Sequence, residues 1–105
     1  MLDEITFRQH AEAALDALKK SLLAAEEEGG FEVEEQNGVL NVLFEDAGAR
    51  FVITPNTPVR QIWISALTTS FKLDWSEEAQ QFVLAKDSTA LEPLLYRLIA
   101  QQNEQ

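Results

Sequence analysis

Cysteine is absent from the 105-residue chain. That lack removes disulfides, thiolate metal sites and thiol catalysis together. Histidine occurs once, at position 10, so a metal ion would have to rest on oxygen ligands with at most one imidazole beside them. Apolar runs are short, and none approaches the roughly 20 residues that span a bilayer. The opening MLDEITF carries acids where a secretory or mitochondrial leader needs bases, so a cytoplasmic protein with no membrane association is expected. Three prolines and four glycines are too few for a low-complexity segment, and no internal repeat is visible. No nucleophile and base are paired, and no glycine-rich phosphate loop or closed metal motif occurs. Catalytic residues are therefore expected to be none, and the protein is not expected to be an enzyme.

Bases are scarce as well, eight against eighteen acids, for a net charge of −10. The imbalance is concentrated. Residues 1–46 hold twelve acids against three bases, and the remaining 59 residues are almost neutral. Nucleic acid and anionic membrane would be repelled, with no basic stripe to release phosphate counterions. Cations and basic proteins are better matched.

What is present suits one domain over residues 1–105, with 46% hydrophobic residues and nine aromatics to build a core. Phe7, Ala11, Ala14, Leu15, Leu18 and Leu22 recur at three- and four-residue steps, which predicts a helix from about Thr6 to Leu23, capped by Asp3 or Thr6 and ended by Gly29-Gly30. The period then becomes two. Phe31 and Val33 alternate with glutamates, Asn37-Gly38 is a strong hairpin signal, and Leu40, Val42 and Phe44 follow. A turn at Glu45–Gly48, a strand through Phe51 and Ile53, and a loop flanked by Pro55 and Pro58 come next. The strand RQIWIS, a polar turn at Thr68–Ser70, the strand Phe71–Trp75 and a short strand at Phe82–Leu84 complete the sheet. Asp87-Ser88-Thr89 is expected to open the last helix, with Thr89 and Glu92 as a capping box and Leu91, Leu94, Leu95, Leu98 and Ile99 as its buried stripe. Connections this short require antiparallel pairing. The expected fold is α+β, a two-layer sandwich with two terminal helices on one face of a five- to six-stranded antiparallel sheet.

Such a fold leaves one sheet face without a helix. If Ile62 and Ile64 enter the core, Gln61, Trp63 and Ser65 face outward, together with Asn41, Lys72 and Asp74. A large ring among polar neighbours on an uncovered face has the composition of a binding anchor. Trp75, in phase with Phe71 and Leu73, is read as core, and His10 as a structural residue at the edge of the helical stripe.

The stretch GVLNVLFEDAGARFVITPNTPVRQIWISALTTSFKLDW, from Gly38 to Trp75, resembles the signature region of the frataxin family. LDEITF and LDAL are similar to its opening helix, and the order of elements agrees from end to end. The resemblance implies an accessory protein of iron–sulfur cluster assembly that binds iron, ferrous or ferric, weakly on an acidic ridge. It also implies docking on a cysteine desulfurase and a scaffold protein. Asp3, Glu4, Glu12, Asp16, Glu27 and Glu32 match ridge positions, with Glu26, Glu28 and Glu34 beside them. Asn41, Gln61, Trp63 and Lys72 are the implied partner surface. Lys19 and Lys20, with Leu23 and Ala24, depart from the pattern and split the ridge into a helix-start group and a Glu26–Glu34 group. Thr54 stands where the family usually has asparagine. A monomer is expected, with oligomerisation under iron load left open. Two other readings stand beside this one: a metal-independent acidic regulator of the desulfurase, and an acidic interaction protein of the secretion-chaperone kind, which shares the helix–sheet–helix layout.

Overall fold

A computed structural model describes residues 2–44 and 48–104. Helix α1 spans Glu4–Gly29, and strands β1 (Glu32–Gln36), β2 (Val39–Phe44), β3 (Ala49–Asn56), β4 (Gln61–Ala66), β5 (Thr69–Ser76) and β6 (Gln81–Leu84) follow; helix α2 covers Leu91–Asn103. The six strands lie in chain order in one antiparallel sheet, a meander in which every strand pairs with its sequence neighbours.

Local chemistry fixes most boundaries. Asp3 caps α1, its carboxylate accepting the Thr6 amide at 2.7 Å. Gly30 ends the helix at φ +70°, returning its N–H to the Glu26 carbonyl. Asn37 and Gly38 both sit at positive φ between the paired residues Gln36 and Val39, the type I′ pattern of a two-residue hairpin. The expected turn at Glu45–Gly48 falls mostly outside the described residues, but the Gly48 amide bonds back to the Phe44 carbonyl at 2.9 Å.

Three boundaries differ from the sequence expectation. Pro55 lies inside β3, paired with Ile62, rather than in a loop. The β2–β3 pairing has ended by then, at Leu40 and Ile53, so proline's missing donor costs no ladder bond on that side. Pro58 belongs to a single 3₁₀ turn, Thr57–Val59. The β4–β5 turn is Leu67-Thr68 and contains no glycine, with φ +53° and +61°. The capping box at α2 does not form: Ala90 is the N-cap with no side-chain bond, Asp87 accepts both the amide and the hydroxyl of Thr89, and Glu92 turns to α1. Competition for the Thr89 hydroxyl, two residues from Asp87, decides this outcome.

Both helices pack on one face of the sheet, α1 reaching from β1 to β6 and α2 resting on β6 and α1. Phe7, Leu18 and Leu22 meet Leu40, Phe51, Ile53, Ile62, Ile64, Leu73 and Phe82 beneath Leu94 and Leu95, all essentially without solvent contact. Val33 and Phe71 face the same way but are half-buried. Trp75 is half-buried too rather than fully in the core; its indole N–H is inaccessible and has no acceptor among the described residues, while its ring lies against His10 and edge-on to Phe82. A polar clasp joins the helices: the Ser21 hydroxyl bonds Glu92 at 2.7 Å and Tyr96 at 2.6 Å. Among the described residues, no helix is long and apolar enough to cross a membrane.

Candidate functional site

Two surfaces carry the residues singled out in the sequence. The first is the acid-rich side of α1 together with β1. Its acids are near one another but largely engaged. Glu4 pairs with Arg8 at 2.9 Å, and Asp16 with Lys20 at 3.2 Å, both at the i,i+4 spacing of adjacent helical turns. Asp3 holds the helix cap, and its hydrogen bonds from Thr6 keep its carboxyl below the ordinary value. The Glu26 carboxylate accepts the Val33 backbone amide at 2.8 Å, occupying an outward N–H of edge strand β1. Glu12, Glu27, Glu28 and Glu34 are exposed and hold no ion pair among the described residues.

Strand alternation divides the set further. Glu34 pairs with Asn41, and Asn41 with Val52, so Glu34 lies on the sheet face opposite α1, as does Glu32 two residues earlier. Glu35 points the other way and meets Lys19 at 2.8 Å, an ion pair sixteen residues apart that no local pattern announces. The pairing raises the Lys19 ammonium above its ordinary value. Among the described residues no three of His, Asp and Glu stand together as a metal-binding group. An open groove of about 860 Å³ runs beside this face, lined by Phe7, Ala11 and Leu15 and by the charged Glu12, Asp16 and Glu35.

The second surface is the uncovered sheet face. Trp63 sits at its centre, between Thr54 of β3 and Lys72 of β5. Its indole N–H donates to the Gln61 side-chain oxygen at 2.8 Å, and the Gln61 amide donates in turn to Asp74 at 3.0 Å. The Lys72 ammonium lies 4.8 Å from the centre of the Trp63 ring, within cation–π range. An acceptor at the ring's edge and a cation over its face leave few rotamers open. The half-buried ring is thus held in one place. Gln61, Trp63 and Lys72 therefore come together as expected. Asn41 lies on the same face, toward the β1 edge and next to Glu34. The outward face thus runs from the acids of β1 to the tryptophan of β4. The order of residues in each strand contained this continuity, but reading it required the register.

Two features of these surfaces had no sequence signal. The edge cap at Glu26 depends on how Gly29-Gly30 swings β1 back along α1, and the Lys19–Glu35 pair depends on the same approach.

Two helices on one face of a six-stranded antiparallel meander, with an acid-rich first helix and a tryptophan-centred open sheet face, define a two-layer α+β sandwich. The chain belongs to the frataxin-like domain family, whose model matches residues 1–105. It is 32% identical over 71 residues to the iron-sulfur cluster assembly protein CyaY of Pseudomonas fluorescens (strain Pf0-1), a match covering 68% of this chain and 64% of that relative. The CyaY of Pseudomonas putida (strain GB-1) is 31% identical over 87 residues, covering 81% of this chain and 78% of the relative. A frataxin from Psychromonas ingrahamii superposes with a TM-score of 0.83 over 99% of this chain and 94% of its own, at 14% identity, a likeness of fold.

Proposed function

We propose that this protein is a cytoplasmic, non-enzymatic accessory factor of iron–sulfur cluster assembly that docks on the cysteine desulfurase and scaffold protein through the sheet face centred on Trp63. The carrying observation is the ring itself, fixed by Gln61 and Lys72 on a face that no helix covers. Aromatic residues held rigid at the centre of a polar surface are the usual energetic anchors of interfaces. Relatives named as iron-sulfur cluster assembly proteins support the process assigned. Asn41 extends the docking face toward β1.

Iron is the cargo in this reading. The exposed Glu12, Glu27, Glu28 and Glu34 are the primary oxygen ligands, while Asp3, Glu4, Asp16, Glu26 and Glu32 contribute field. Hard cations favour carboxylate oxygen, but ligands that diverge along a helix and a strand hold an ion loosely and exchange it readily. Binding is weak, and the protein is a monomer without iron.

The test is binding of wild type and Trp63→Ala to a purified desulfurase–scaffold complex, with and without anaerobic ferrous iron. Loss of a central anchor should cost about 2 kcal/mol or more, roughly thirty-fold in affinity. Unchanged binding by Trp63→Ala would refute the docking face. Isotope-labelled protein titrated with ferrous iron should show amide broadening around residues 12 and 27–34.

A second reading is favoured by the engagement of Asp3, Glu4, Asp16 and Glu26 in bonds of their own. There the acids act as a charge surface for a basic patch of the desulfurase, without metal. A complex equally tight with and without iron, and weakened by salt, would select it.

A further inference from the structure

We infer that Asn37 is a site of spontaneous chemical modification, a deamidation that adds a carboxylate to the tip of the β1–β2 hairpin. Asn37 is the one asparagine of four followed by glycine; the other three precede Val42, Thr57 and Glu104. Burial and hydrogen bonding, two of the usual obstacles, are missing at this pair among the described residues. Both residues are exposed, and among the described residues the Asn37 side chain holds no hydrogen bond and the Gly38 amide is engaged in none. Space around Gly38 is open: among the described residues, none beyond its two chain neighbours has a heavy atom within 4 Å of where a Cβ would stand. The alternatives are better held. Asn103 donates its side-chain amide to the Gly29 carbonyl at 2.9 Å, and Asn41 and Asn56 lie within strands β2 and β3.

The reaction needs only water. The Gly38 nitrogen attacks Asn37 Cγ, forming a new C–N bond. The Cγ–Nδ2 bond breaks, and ammonia leaves carrying the proton that the Gly38 nitrogen releases. Water then opens the five-membered imide at either carbonyl, giving aspartate or isoaspartate at position 37.

Asn37 is held at φ +54° in the closed turn, so attack proceeds through brief openings of the hairpin tip. Exposure of every residue from Glu34 to Gly38, on an edge strand of five residues, makes such openings inexpensive. The two products diverge structurally. Aspartate before glycine suits a type I′ turn as well as asparagine does, so the hairpin persists with an extra negative charge. Isoaspartate lengthens the main chain by one carbon and disturbs the Gln36–Val39 register. Gly38 lines the groove that Glu12, Asp16 and Glu35 also line, so the new carboxylate joins the acidic side of the molecule.

The experiment is prolonged incubation of the intact folded protein at mildly alkaline pH and 37 °C, with a parallel sample in urea. Peptide mapping by mass spectrometry reads each asparagine, with Asn37→Asp as the standard for one product. Conversion at position 37 several-fold faster than at positions 41, 56 and 103 in the folded protein is the expected result, with faster conversion still in urea. If the folded protein keeps Asn37 as intact as the other three while the urea sample converts, the turn protects the residue and the inference fails. Conversion first at another asparagine overturns it equally.

Discussion

The His10 imidazole lies flat on the Trp75 indole, with ring centres 3.9 Å apart and planes 12° from parallel. The pair ties the second turn of α1 to the last residues of β5. Trp75 also meets Phe82 edge-on, and Phe82 meets Phe7, so the stack is the outer member of an aromatic chain that enters the core. His10→Ala should cost the aromatic pairing, about 0.5–1.5 kcal/mol, beyond lost area. Trp75 emission, isolated in a Trp63→Phe background, should shift at the same time. Unaltered emission and stability would mean that the two rings do not stack in solution.

The inaccessible indole N–H of Trp75 has no acceptor among the described residues. Trp75→Phe discards that donor and keeps most of the ring, so it should be far milder than the roughly 3–5 kcal/mol typical of truncating a core aromatic to alanine. Denaturant melts of Trp75→Phe and Trp75→Ala check the ordering.

Two carboxylates contribute to the acid limb of stability. Hydrogen bonds from Thr6 depress Asp3, and hydrogen bonds from Thr89 depress Asp87, both below the ordinary 3.8. A folded-state value lowered in this way gives stability that is complete above the unfolded value and lost as pH falls through the folded one. Asn in place of Asp at both sites should flatten the decline in melting temperature below about pH 4. Asp3→Ala should lower the melting temperature at neutral pH as well, because the cap itself is gone. Lys19 works in the opposite direction: its value is raised by Glu35, so its contribution is present below 10.5 and fades as pH climbs past it.

Adjacent glycines at the end of α1 serve different needs. A Cβ on Gly29 would stand 2.1 Å from the buried Phe31 ring, whereas a Cβ on Gly30 meets nothing but must adopt φ +70°. Gly29→Ala should destabilise by about 1–3 kcal/mol through overpacking, and Gly30→Ala by about 1–2 kcal/mol through the left-handed backbone. Replacing Phe31 by leucine should rescue the first variant and leave the second unchanged.

The Ser21 clasp between the helices is partly open to solvent at Tyr96 and Glu92. Ser21→Ala should therefore cost only about 0.5–1.5 kcal/mol, since water can take over both partners. The denaturation midpoint should fall with an unchanged slope.

The helices, the strands and the outward aim of Trp63 were legible because each depends on periodicity within one element. The Asp16–Lys20 pair rests on the same kind of local spacing, four residues apart on one helix. What escaped the sequence lay between elements. Glu92 was read as a local cap, yet a serine 71 residues away holds it, and Thr89 was taken by Asp87 first. Trp75 has the phase of a core residue but stands where the helix layer offers an imidazole instead of an aliphatic lid. The acids from Glu26 to Glu34 read as one group, whereas strand alternation places Glu32 and Glu34 on the far face and Glu26 at the sheet edge.

The turn at Leu67-Thr68 has both residues in left-handed conformation and neither is glycine. A β-branched residue there is the least comfortable choice, and Thr68 is exposed, while Leu67 leans on the core. Glycine at position 68 would relieve about 1 kcal/mol of that discomfort. This chain thus carries thermal headroom in one solvent-facing turn residue, outside the acid-rich helix and the strand that holds Trp63. A lineage moving to hotter surroundings could draw on it without touching helix, core or the Trp63 ring.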